Sequence, residues 1–135
     1  MSDRIGGAAA VSAELADDPT VDITTIGRRR GRPRRIEIWM IEVDGRFFIT
    51  GTPGRRDWLA NLAATPEFVV HLERRAGLDL AARAWIVDDP DLRRAVFDHP
   101  SAAWYRSQEP VEVLVATAPM VEIEFGDRSS ASTMR

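Results

Sequence analysis

The chain has 135 residues and a formal net charge of −3, with 44% of its residues hydrophobic and 29% charged. That is enough for one domain with one buried core, and no apolar run approaches the ~20 residues that cross a bilayer. There is no cysteine, which excludes disulfides, thiolate metal sites and cysteine nucleophiles and fits a cytoplasmic setting.

Residues 1–20 are small and acidic and read as a flexible lead-in, with at most one short helix over residues 9–16. No basic segment precedes a continuous apolar stretch there, so a signal peptide is not expected. "VDITTI", residues 21–26, alternates apolar and polar side chains and predicts a first strand. "GRRRGRPRR", residues 27–35, carries Arg28, Arg29, Arg30, Arg32, Arg34 and Arg35 on a frame of Gly27, Gly31 and Pro33, which predicts a turn. Arginine grips carboxylate and phosphate through two parallel hydrogen bonds. A local arginine cluster on an otherwise acidic chain points to a small anionic ligand more than to a long duplex. The Arg-Gly-Arg-Pro string is similar to an AT-hook, but such peptides lie extended in the minor groove, and here both flanks alternate as strands. Nucleic acid is not the expected partner.

"IEIWMIEV", residues 36–43, predicts a second strand. Asp44-Gly45 is a two-residue hairpin signal, with residues 46–51 returning. After a loop over residues 52–56, Asp57 is placed to cap a helix carrying Trp58, Leu59 and Leu62, which Pro66 ends. Residues 67–73 and 80–87 predict strands four and five. "DDPDLRRAVFDH", residues 88–99, predicts a second helix with Pro90 in its first turn. Residues 100–110 read as irregular. "VEVLVATA" (111–118) and "MVEIEF" (120–125) read as further β structure, and 127–135 as a disordered tail. The expectation is a mainly β domain over residues 21–126, a six- to seven-stranded antiparallel barrel with short helices.

Three motifs fall in order within residues 24–72: the turn "TTIGRRRGRPR", the strand "IEIWM" and the helix "WLANLAATPEF". Together they resemble the deazaflavin-dependent nitroreductases, also called the coenzyme F420-dependent quinone reductases. The resemblance implies a split β-barrel of the flavin-reductase and pyridoxamine-phosphate-oxidase type. It implies a groove for coenzyme F420, with FMN as the alternative, and hydride transfer to a quinone, a nitroaromatic or an activated alkene. By position, Arg28, Arg29 and Arg34 match residues on the cofactor's phosphate side. Arg55 and Arg56 match a basic loop on the cofactor, Trp39 an aromatic bordering deazaflavin and substrate, and Trp58 and Asn61 the helix motif. Glu37 departs from the family pattern, which has a small residue or proline there. Tyr105 is the one candidate proton donor, set against the reading of a partly buried aromatic.

No metal site is expected, since neither His71 nor His99 has partner ligands at a suitable spacing. Trp85 and Trp58 are expected in the core. Expected partners are the anionic cofactor and a small planar electron acceptor. Peripheral membrane contact and a homodimer are both compatible with the sequence. The other readings are a split barrel that holds FMN, haem or lipid without turnover, and a DNA-binding hook.

Overall fold

The computed structural model describes residues 2–74 and 77–125. The tail expected to be disordered lies outside the described residues. The first hairpin joins β1 (Thr20–Ile26) to β2 (Pro33–Val43), pairing Thr20 with Trp39 and Ile26 with Pro33. β3 (Arg46–Thr50) returns from β2 through Asp44 and Gly45, whose φ angles of 53° and 82° suit the tight hairpin turn that the dipeptide signals. Helix α2 (Asp57–Ala64) follows, then β4 (Glu67–Leu72) and β5 (Leu78–Ile86). The chain crosses α3 (Pro90–Asp98), a 3₁₀ turn (Pro100–Ala102), α4 (Ala103–Gln108) and α5 (Val111–Thr117) before β6 (Met120–Phe125). The six strands close into one antiparallel barrel in the order β1-β2-β3-β6-β5-β4. This is the fold that the alternating segments predict.

Two apolar clusters hold it. Inside the barrel, Ile23, Met40, Ile49, Val70, Leu72 and Val121 are buried together. Outside, Phe48, Phe97, Leu114 and Met120 are fully or almost fully buried beneath α3 and α5. β2 serves both, because side chains alternate across a strand: Ile36, Ile38 and Met40 join the inner cluster, Ile41 and Val43 the outer one.

Three expectations are corrected. The lead-in is a helix, α1 (Ser2–Asp17), and Val11 is fully buried in the barrel cluster. Arg74 fastens its end, donating to the carbonyls of Glu14, Asp18 and Thr20. Residues 103–108 are helical where irregular chain was expected. Residues 111–117 form α5, not a strand. Val111, Leu114, Val115 and Ala118 stand at helical spacing, and Leu114, Val115 and Ala118 pack on the outer cluster.

The capping expectation at Asp57 also shifts by one residue. Arg56 is the N-cap of α2 and makes no capping bond through its side chain, while Asp57 opens the first turn. At α3, which begins at Pro90 as expected, the Asp89 carboxylate accepts from the Asp91 N–H at 3.0 Å.

The β1–β4 seam that closes the barrel has only three residue pairs, the shortest ladder in the sheet. Side chains reinforce it on the outer face. His71 Nε2 lies 2.7 Å from Thr24 Oγ1, and its Nδ1 lies 2.8 Å from Asp79 Oδ1. The imidazole thus ties β1, β4 and β5. Replacing His71 with Phe removes both bonds, and the expected loss of stability is about 1–2 kcal/mol. Hydrogen exchange checks this: the amides of β1 and β4 should lose protection before those of β2 and β3.

Candidate functional site

The turn that carries the arginines is set by backbone bonds. The Gly27 N–H donates to Arg32 O at 2.8 Å, and the Gly31 N–H to Gly27 O at 2.9 Å. Gly31 takes φ 69°, where a side chain is disfavoured. A Cβ on Gly27 would stand 3.2 Å from Arg32 O, so the turn closes tightly there. The arginine string is therefore the bend of a β-hairpin and continues as strand on both sides.

Helix α2 lies against this bend. Asn61, 5% exposed, presents Oδ1 to Arg28 twice, accepting from its backbone N–H at 3.1 Å and from Nη1 at 3.2 Å. Its Nδ2 donates to Thr25 Oγ1 at 3.3 Å, which fixes the amide's orientation. Asp57, one helical turn earlier, stands 3.6 Å from Arg28 Nη2. Trp58, 7% exposed, anchors the helix in the barrel cluster. Between turn and helix runs a groove of about 700 Å³. Arg28, Arg29, Arg30, Arg32 and Arg34 all border it. No carboxylate of the described residues pairs with Arg29, Arg30, Arg32 or Arg34. Like charges held together without counter-ions favour an anion between them.

The groove brings together five of the eight expected cofactor contacts, Arg28, Arg29, Arg34, Trp58 and Asn61. The other three lie elsewhere. Arg56 folds back on its own loop, donating to Thr52 O at 2.9 Å and Thr52 Oγ1 at 3.2 Å. Gly54 in this loop takes φ 137°, a conformation that strains any residue with a side chain. Arg55 is exposed and does not border the groove. Trp39 stands five residues beyond Arg34 on β2, about 16 Å along the strand, and on the opposite face. It packs edge-on to Trp104 at 5.1 Å and to Tyr105 at 6.2 Å. Glu37 shares that outer face, so it points away from the arginines that its charge would have opposed.

Arg35, next to Arg34, is also on the outer face, bonded to Asp22 and to Glu73. Trp85 is 49% exposed, against the expectation of a core residue, with Arg83 stacked 4.9 Å above its ring. It sits on the outer row of β5, alternating with the buried Ala82 and Ala84. Thr25, Gly27, Arg30, Arg32, Ile36 and Asp57 also line the groove and were not among the expected contacts. The available signal was spacing: Asp57 and Asn61 are four apart on one helix and so share a face.

A family model described as F420H(2)-dependent quinone reductase matches residues 2–118. The chain belongs to that family. Among solved structures, the reductase is similar to an F420-H2 dependent reductase, FDR-A, at 19% identity over 79% of this chain and 95% of that one, with a TM-score of 0.56. A member of the pyridoxinephosphate oxidase family from Clostridium acetobutylicum, related to general stress protein 26, aligns at 15% identity over 87% and 81%, with a TM-score of 0.61. HutZ, the haem storage protein of Vibrio cholerae, aligns at 14% identity over 87% and 88%, with a TM-score of 0.53. These likenesses establish the split-barrel fold of the reductase. No curated protein sequence matches it. No described helix is long and apolar enough to cross a membrane.

Family membership makes coenzyme F420 the cofactor of this reductase. The groove's chemistry suits that molecule's anionic part, since Arg29, Arg30, Arg32 and Arg34 have no carboxylate partner among the described residues. Tyr105 is 4% exposed, and burial pushes its phenol up to about 12. It is the only tyrosine, so ultraviolet absorbance reads its ionisation alone. A folded pKa raised from 10 to about 12 favours the neutral form, and the resulting stability is complete below pH 10. The expected result is no phenolate signal at pH 10, with stability lost as the pH rises from 10 towards 12. A half-ionised tyrosine at pH 10 in the folded protein would contradict this.

Proposed function

We propose that this oxidoreductase passes a hydride from reduced coenzyme F420 to a quinone, with nitroaromatics and activated alkenes as further acceptors. The observation that carries the reading is the groove in which arginines without carboxylate partners face the α2 helix. Arg29 and Arg34 would hold the cofactor's phosphate and oligoglutamate side by charge-assisted bonds. Arg28 would join them, with its backbone and guanidinium set in place by Asn61. When bound, the deazaflavin supplies the hydride, and the protein supplies position and charge.

Tyr105 stays a neutral phenol throughout the physiological range. Tyr105 does not border the groove, so the proton that completes reduction of the acceptor would come from solvent. Tyr105 instead packs against Phe97 and Trp104, an aromatic buttress beneath Trp39. The test is to mix the protein with the reduced cofactor and menadione and follow cofactor absorbance. Quinone-dependent oxidation well above the rate without protein is expected. Tight binding without oxidation would leave a carrier rather than a reductase.

FMN binding is the second reading, because the same arginines suit a flavin phosphate. Competition between FMN and coenzyme F420 for the purified protein ranks the two. Haem is less well served. His71 has partners at both ring nitrogens and His99 is bonded to Ser101, and neither borders the groove.

A further inference from the structure

Among the arginines of the groove, Arg28 is the one that already has a carboxylate. Asp57 Oδ1 stands 3.6 Å from its Nη2, and the Asp57 side chain is 92% exposed. The two partners are placed very differently. Arg28 is held by Asn61 at both its N–H and its guanidinium, so it does not depend on Asp57 for position. Asp57 accepts no hydrogen bond from the described side chains, and it projects into water from the first turn of α2. A long, solvent-exposed contact of this kind contributes little to stability. It does place a fixed negative charge on the rim of a site that otherwise gathers positive charge.

We propose that Asp57 is a built-in competitor for Arg28: it takes the guanidinium that an incoming phosphate or carboxylate would take, and so holds the groove's affinity for anions below what its arginines allow. This rests on the reading that the groove binds an anionic cofactor. It gives Asp57 a role in setting affinity and Asn61 a positioning role. The arrangement has a functional logic. A site with several unopposed arginines binds phosphates and nucleotides without much discrimination, and a local carboxylate penalises ligands with a single anionic group. A ligand that also engages Arg29 and Arg34 can displace Asp57 and still bind.

The experiment is a double-mutant cycle of Asp57→Asn and Arg28→Gln, with Glu109→Gln as a control for net charge alone; Glu109 does not border the groove. Calorimetry at low salt uses two probes, inorganic pyrophosphate and coenzyme F420. In the Arg28 background, D57N should tighten pyrophosphate binding about 2- to 5-fold, the scale of an exposed ion pair. The gain should vanish in the R28Q background and be absent in E109Q. Unchanged or weaker binding by D57N overturns the inference, as does a gain that survives R28Q. Failure of every protein to bind pyrophosphate overturns it as well. The cofactor titration answers the separate question. If pyrophosphate behaves as expected while coenzyme F420 does not bind, the proposed function fails and the role of Asp57 stands.

Discussion

Replacing Arg93 with alanine is expected to lower the unfolding free energy by about 3 kcal/mol or more, which is large against the 5–15 kcal/mol of an ordinary domain. Arg93 is 9% exposed on α3 and spends its guanidinium on backbone carbonyls. Nε donates to Val115 O at 2.6 Å and Nη1 to Val87 O at 2.9 Å. Nη2 donates to Ala118 O at 2.5 Å and Leu114 O at 3.3 Å. Val115 and Ala118 lie at the end of α5, where helix carbonyls lack a partner within the helix, while Leu114 O also accepts from the Ala118 N–H at 3.0 Å. One cation thus closes α5 and ties it to α3 and to the strand end at Val87.

Burial lowers the Arg93 pKa, so the charge is held at a desolvation cost. Its removal recovers that cost, and the net effect is smaller than the sum of its bonds. Arg93→Lys keeps the charge but cannot reach several carbonyls from one flat fork, so it should rescue only part of the loss. Urea midpoints for the three proteins check the order: wild type, then R93K, then R93A. Equal midpoints for R93A and wild type would contradict the assignment.

Arg34→Ala is expected to weaken binding of coenzyme F420 about 10- to 100-fold, the scale of one lost charge-assisted hydrogen bond. Arg34 borders the groove and has no carboxylate partner among the described residues. Its neighbour Arg35 is the natural control. One residue along a strand is the other face of the sheet, and there Arg35 is committed to Asp22 at 2.9 Å and to Glu73. Arg35→Ala should leave cofactor affinity within about 2-fold and change stability little. Raising the salt should narrow the gap between Arg34→Ala and wild type, because screening weakens exposed charges. Cofactor fluorescence titrations on the three proteins measure this. Equal losses for R34A and R35A would remove the distinction between the two faces.

The closed barrel was legible in the sequence wherever alternation met turn chemistry. Residues 21–26 alternate, Asp44-Gly45 makes the hairpin that returns as residues 46–50, and Pro90 opens α3. The anion-binding turn was equally legible, because arginines and glycines announce themselves locally. α5 was not. "VEVLVATA" satisfies a two-residue and a helical period at once, and short apolar runs carry both. Packing of Leu114 and Val115 on α3 and capping by Arg93 decide for helix, and Arg93 is some twenty residues away in sequence.

The sequence by itself determined which segments turn, which side chains alternate and where positive charge gathers. These follow from nearest neighbours and fixed strand geometry. Tertiary structure alone decided which face each arginine serves, that Arg56 folds onto its own loop, and that Trp39 joins Trp104 and Tyr105 away from the groove. It also decided that Asp57 opposes Arg28 and that Asn61 positions it. Such pairings arise when distant segments close a barrel, and no local pattern encodes which strand edge a helix will meet.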